Sequence, residues 1–248
     1  MNTNKIKEAT RKEVWEHLRK YARPDSRFHW DFNEFIPDFE GSEICNNKIR
    51  KMDIYQKSRC IFVTPDNCLE ALRNYAINDR KHLVVSTYGI GRDFFYIAPD
   101  SVPKGDEKLA ATLDGMEYFG KNVSLKELKS LMKIDLMFTV ASIITPYGLR
   151  WGKGHGYFDL EWAMFWECNI VDEETTIFAV AHDCQMLDLD LEMTVYDTIV
   201  DIIITPKTYI EIEKKYPKPT KVYWDLLTEE QITSIPALSE LRYEINTR

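Results

Sequence analysis

Five short apolar runs, at 60–63, 83–86, 134–141, 176–181 and 199–205, alternate along the chain with stretches of helical character. The middle run, IDLMFTVA, is apolar at most positions on both alternating faces, the pattern of a strand buried on two sides. Such strands need helices as covers, so the chain is expected to be α/β: a three-layer α/β/α sandwich with a largely parallel central sheet of Rossmann type. No internal repeat, low-complexity tract or clear linker divides it, and residues 1–248 read as one domain.

Residues 5–21 predict a first helix, with Val14, Trp15 and Leu18 on one stripe and no breaker before Pro24. Lys7 and Arg11 continue that stripe backward, four residues apart, so both cations share the face turned toward the protein. Long stems snorkelling past the edge of a core would give the same pattern. Residues 22–57, rich in aromatics and turn formers, read as an extended arm followed by a helix near 42–51. Ser124 with Glu127 and Thr228 with Gln231 have the spacing of capping boxes and mark two further helix starts. Pro217 and Pro219 set off a C-terminal tail after about residue 217.

Composition narrows the function classes. No apolar run approaches the roughly 20 residues of a membrane span, and MNTNKIKEATRKEVW is too polar for a secretory signal, so a cytoplasmic protein without a membrane partner is expected. Five cysteines, odd in number and without a C-x-x-C pair, argue for reduced thiols over a disulfide framework or structural zinc. A net charge of −8 argues against nucleic-acid binding. The local cluster of Lys48, Arg50 and Lys51 reads as the solvated face of a helix.

Against ten glycines in all, Gly148, Gly152, Gly154 and Gly156 fall within nine residues. They lie between a buried run and a helix expected from about 158 to 167, where loop amides and a helix N-terminus favour anions. Arg150 and Lys153 add positive charge, and a polyphosphate suits such a loop, although a flexible surface turn would have the same glycine content. The pattern is neither a Walker loop nor G-x-G-x-x-G. Farther on, His182, Asp183 and Cys184 bring three reactive types together. On a strand they alternate in direction, so without a sharp turn they form no single cluster, and no Cys-His pair is assigned. Asp201, just before three isoleucines, is assigned a structural role at a strand entrance.

The run from Arg150 to Asp159, R-x-G-x-G-x-G-Y-F-D, resembles the signature of the 5-formyltetrahydrofolate cyclo-ligase family, with Phe158 for a second tyrosine. HDCQ at His182 and D-x-x-V-D-I-I-I-T-P from Asp197 to Pro206 also resemble that family. F-I-P-D-F from Phe35, T-P-D-N from Thr64 and G-Y-F-D-L-E-W-A from Gly156 are similar to its divergent branch. The resemblance implies a cyclo-ligase-like fold and ATP- and Mg²⁺-dependent conversion of 5-formyltetrahydrofolate to 5,10-methenyltetrahydrofolate. It assigns Lys7, Arg11, Arg150, Gly152, Lys153, Gly154, His155, Gly156, Tyr157 and Phe158 to ATP, with Arg150, Lys153 and Tyr157 serving the reaction. Asp159 and Asp197 would hold Mg²⁺, a hard cation that takes one or two carboxylates, and each would otherwise read as an N-cap or turn residue. The sequence departs from the family at Cys68, where an ungapped reading places a folate-contacting glutamate. Glu70 would substitute only with a shifted helix register, and Leu160 stands where a basic residue often follows the signature. Two alternatives therefore stay open: an ATP-dependent enzyme acting on another heterocycle, for which thiamine salvage is one setting, and a non-catalytic binding protein. Trp30 and Phe32 of the arm are expected to cover the substrate pocket.

Overall fold

The computed structural model describes residues 3–25, 28–189, 192–213 and 216–247. The strands are β1 (Cys60–Val63), β2 (His82–Ser86), β3 (Phe94–Ile97), β4 (Lys121–Val123), β5 (Leu136–Val140), β6 (Ile143–Ile144), β7 (Arg150–Trp151), β8 (Thr176–Val180), β9 (Ile202–Ile204) and β10 (Tyr209–Glu211). The helices are α1 (Thr3–Leu18), α2 (Ser42–Arg50), α3 (Asp53–Lys57), α4 (Glu70–Asn78), α5 (Glu107–Ala110), α6 (Leu113–Phe119), α7 (Leu125–Leu131), α8 (Tyr157–Glu167), α9 (Glu229–Ser234) and α10 (Pro236–Asn246).

Eight strands form one sheet in the order β10-β9-β8-β5-β1-β2-β3-β4. Its centre, β9 through β2, is parallel, and β10, β3 and β4 add antiparallel edges. All five apolar runs supply the parallel strands. The last is shortened: Asp201 Oδ2 accepts the Ile177 amide at 2.7 Å and a hydrogen bond from Lys218 Nζ, fastening the entrance of β9 with a side chain.

Side-chain alternation divides the interior into two layers. Phe62, Val84, Met137, Ala179 and Ile203 face one core with α7, α8 and α10. Ile61, Val85, Phe138, Phe178 and Ile204 face the other with α2 and α4. The expected three-layer sandwich is present. The tail joins the first layer through Ala237, Leu238 and Leu241, and Trp162 Nε1 donates to the Pro219 carbonyl at 2.8 Å. Both capping boxes form at Ser124 and Thr228. The basic cluster of α2 departs from expectation. Lys48 Nζ donates to the Thr205 and Pro206 carbonyls, and Arg50 pairs with Asp79, leaving Lys51 as the exposed member. No described helix is long and apolar enough to cross a membrane.

Candidate active site

The parallel strands, taken in chain order, have the spatial sequence 2-1-3-4-5, which reverses between β1 and β5. Open α/β sheets bind ligands outside the carboxyl ends of the strands at such a switch point, because flanking connections leave in opposite directions and open a crevice. A cavity of about 410 Å³ lies there, within the size range of a small-molecule site. Thr64 and Asp66 follow β1 into it, Ser86 and Thr87 close β2, and Thr139 comes from β5. The glycine loop, α1 through Lys7 and Arg11, the first turns of α8, and Ile36, Tyr88 and Asp197 add to the wall.

Between β5 and α8 the chain first makes the β6 and β7 hairpin, so Arg150 sits on a short strand and the free loop begins at Gly152. Gly154 (φ 117°) and Gly156 (φ 71°) are in the left-handed region, which side-chain-bearing residues rarely enter. A Cβ on Gly154 would stand 3.8 Å from Arg11 Nη1, whereas one on Gly156 would meet nothing within 4 Å. Gly156 caps α8 without a side chain, so the unpaired amides at that helix N-terminus open toward the loop. Arg11 Nε donates to the Gly152 carbonyl at 2.8 Å, and Lys7 Nζ lies 5.0 Å from the Trp151 ring centre. The basic continuation of the α1 stripe therefore meets the glycine loop itself. Burial holds the Arg11 guanidinium below its ordinary pKa.

Arg150 is buried, with its guanidinium carbon 4.4 Å from the centre of the Phe158 ring and Nη2 2.9 Å from Asp159 Oδ1. The same carboxylate oxygen accepts the Thr198 amide at 3.0 Å. Burial raises the Asp159 carboxyl above its ordinary pKa, and Arg150 opposes that shift. Asp197 also lines the cavity and accepts the Thr194 amide through Oδ2 at 2.6 Å. Among the described residues no three His, Cys, Asp or Glu side chains converge as a metal site. The donor set fits Mg²⁺ bound chiefly through phosphate and water, with these carboxylates completing the shell.

Lys153 Nζ donates to the Glu34 carbonyl at 3.1 Å and lies 5.4 Å from the Tyr88 ring centre. Tyr88 Oη donates to Glu34 Oε2 at 2.7 Å. Tyr157 is half-buried beside Gly89, while His155 is exposed and stacks on Tyr157 at 5.2 Å. Burial raises the Tyr157 hydroxyl, so it stays protonated near neutrality.

The profile of the 5-formyltetrahydrofolate cyclo-ligase family matches residues 3–206. The chain belongs to that family. It is 31% identical over 245 residues to a methenyltetrahydrofolate synthase domain-containing protein of Danio rerio, covering 98% of this chain and 63% of the relative. The Homo sapiens protein of the same name is 30% identical over 239 residues, covering 95% and 61%. The chain thus spans under two thirds of the length of either. The solved structure of Aquifex aeolicus 5,10-methenyltetrahydrofolate synthetase is 14% identical, with TM-score 0.49 over 88% of this chain and 99% of that one.

Against the cyclo-ligase signature, the structure brings every assigned residue to this one cavity: Lys7 and Arg11 from α1, positions 150–159 from β7 and α8, and Asp197. Three expectations are corrected. Trp30 and Phe32 do not line the cavity; they pack with Trp15 and Phe35 against α1, and the arm reaches the site through Ile36. Cys68 is buried in the α2 and α4 layer, and neither it nor Glu70 lines the cavity, where Asp66 is the carboxylate after β1. Residues 182–185 leave β8 as a capped turn, so His182 Nδ1 and Cys184 Sγ come within 3.1 Å. Burial pushes the Cys184 thiol up to about 11 and lowers His182, which describes a neutral contact and not an activated thiolate.

One residue escaped sequence reading. Glu161 lies one turn into α8, only 2% exposed, on the cavity wall. Its Oε2 has no hydrogen-bond partner, and burial pushes the carboxyl up to about 8. A glutamate in the run Leu160, Glu161, Trp162, Ala163, Met164, Phe165 was a detectable signal, because a charge flanked by core residues is costly unless it has a use.

Proposed function

We propose that this protein is an ATP- and Mg²⁺-dependent 5-formyltetrahydrofolate cyclo-ligase. The observation that carries the reading is the convergence of four cations, a glycine loop and a helix N-terminus on one cavity at the sheet's switch point. In this reaction the formyl oxygen attacks the γ-phosphorus of ATP and the bond to ADP breaks. The 10-position nitrogen then closes on the activated carbon, and inorganic phosphate leaves with the former formyl oxygen. Phosphoryl transfer of this kind depends on positioning and charge neutralisation more than on covalent catalysis. Lys7, Arg11 and Lys153 are suited to the phosphate oxygens, and Arg150 holds Asp159 in place while facing the same anion. Bound Mg²⁺ would supply charge neutralisation at the phosphates, held by Asp159 and Asp197. Tyr157, protonated, would flank the transferred group.

A second reading keeps the ATP end and changes the acceptor. It is favoured by the wall after β1, where Asp66 lines the cavity and, among the described residues, no glutamate takes the place of the folate-contacting one that the family resemblance implies. Incubation with MgATP and 5-formyltetrahydrofolate separates the two. Methenyl product appearing in step with ADP supports the cyclo-ligase. MgATP binding without either product leaves the ATP site and excludes this folate as substrate.

A further inference from the structure

Lys7, Arg11 and Val14 share one stripe of α1, and that stripe lies against Trp151 of β7. Consecutive strand residues point to opposite sides, so Arg150 turns to Phe158 and Asp159 while Trp151 turns to α1. Trp151 is 7% exposed, lines the cavity and packs with Val14, Ile143 and Leu187. Lys7 Nζ lies 5.0 Å and the Arg11 guanidinium carbon 5.9 Å from the centre of its ring. The next residue holds Arg11 in a second way, since Arg11 Nε donates to the Gly152 carbonyl at 2.8 Å. That bond occupies the Nε edge, and Nη1 and Nη2 stand beside Gly154, on the loop.

We propose that Trp151 is a positioning residue for anion binding, whose ring holds Lys7 and Arg11 at the glycine loop without adding negative charge. This deepens the proposed function. It rests on the reading of the loop as a polyphosphate site, not on the identity of the acceptor.

The charge setting agrees. Lys7, Arg11, Arg150 and Lys153 converge on one cavity and repel one another, so the two cations of α1 need a hold of their own. A carboxylate would give one by cancelling the charge that draws the anion. Among the described residues neither Lys7 nor Arg11 has such an ion pair, and the neighbouring Glu8 pairs with Lys12 on the exposed side. An aromatic face attracts cations through its quadrupole while staying neutral, and indole has the strongest such face among side chains. The residue type also points to the face. Trp151 Nε1 is buried without a hydrogen-bond partner, a cost that leucine or phenylalanine in the same cluster would avoid.

The test replaces Trp151 in the full chain with 5-fluoro-, 5,7-difluoro- and 5,6,7-trifluorotryptophan and measures calorimetric binding of inorganic triphosphate with Mg²⁺, and of MgATP. Fluorine withdraws charge from the ring face with little change in size, so packing is kept while the attraction for cations falls stepwise. Affinity for both probes should fall with each added fluorine, by about fivefold or more at the trifluoro ring. Trp151→Leu should weaken both by about tenfold, and the near-isosteric series decides the point if that variant fails to fold. In Lys7→Met and in Arg11→Met the dependence on fluorine should shrink, because each removes one cation from the ring. The same series at Trp30, whose ring lies 5.8 Å from the Arg19 guanidinium carbon, should leave both affinities unchanged. Affinity independent of fluorine content in a chain that binds MgATP, or a dependence undiminished in both methionine variants, would overturn the proposal and leave the ATP reading intact. A chain that binds neither probe would overturn both.

Discussion

Arg150 Nη2 and Asp159 Oδ1 lie 2.9 Å apart, joining the two ends of the ten-residue signature with side chains only 4% and 16% exposed. The pair ties β7 to the first turn of α8 and so fixes the width of the glycine loop between them. Breaking a buried ion pair from one side costs about 3–5 kcal/mol, because the surviving charge is stranded. Asp159→Asn retains a hydrogen-bond acceptor for Arg150, so a loss nearer about 2 kcal/mol is expected by denaturant titration, together with loss of Mg²⁺-dependent nucleotide binding. Tight MgATP binding by the folded variant would contradict the metal assignment.

Gly154 adopts φ 117° beside the Arg11 guanidinium. Alanine at a positive φ is strained by about 1–2 kcal/mol, and the loop should relieve that strain by moving away from Arg11. Gly154→Ala is expected to weaken ATP binding by about tenfold with a small change in unfolding midpoint. Gly91→Ala, at a glycine with ordinary φ, is the control for a general loss of stability.

The arm supports the site through Glu34, whose backbone carbonyl takes a hydrogen bond from Lys153 and whose carboxylate takes one from Tyr88. Trp30 instead contacts Phe32 and Arg19 away from the cavity. Trp30→Ala should therefore lower stability while leaving turnover per folded molecule unchanged. Tyr88→Phe should raise the KM for ATP about two- to fivefold by loosening the arm over Lys153, an exposed contact worth about 0.5–1.5 kcal/mol. Reversal of the two phenotypes in steady-state kinetics would refute this division of the arm.

Glu161 titrates at about 8 in the folded chain against an ordinary 4.5. Between those values the unfolded chain has released the proton and the folded chain retains it, so stability falls as pH rises through the window and levels off above it. Denaturant titrations from about pH 5 to about pH 8.5 should show Glu161→Gln becoming more stable relative to the unaltered chain by about 3 kcal/mol. A difference that stays constant with pH would show that Glu161 is ionised in the folded protein.

The apolar runs determined the parallel strands, because a strand buried on both faces has few polar positions and such a run is conspicuous. The edge strands were less legible: Lys121–Val123 is two-thirds polar and takes its place only by pairing with Phe94–Ile97. The glycine loop and its cations were readable because positive φ and anion binding restrict the residue types at each position. Tertiary structure alone decided which remote side chains share the cavity. Strand order put Thr64, Ser86 and Thr139 around one crevice, and it turned Cys68 into the core while Asp66 lined the wall. The protonation of Glu161 was likewise beyond the sequence, since it depends on burial, which the packing of α8 against the sheet creates.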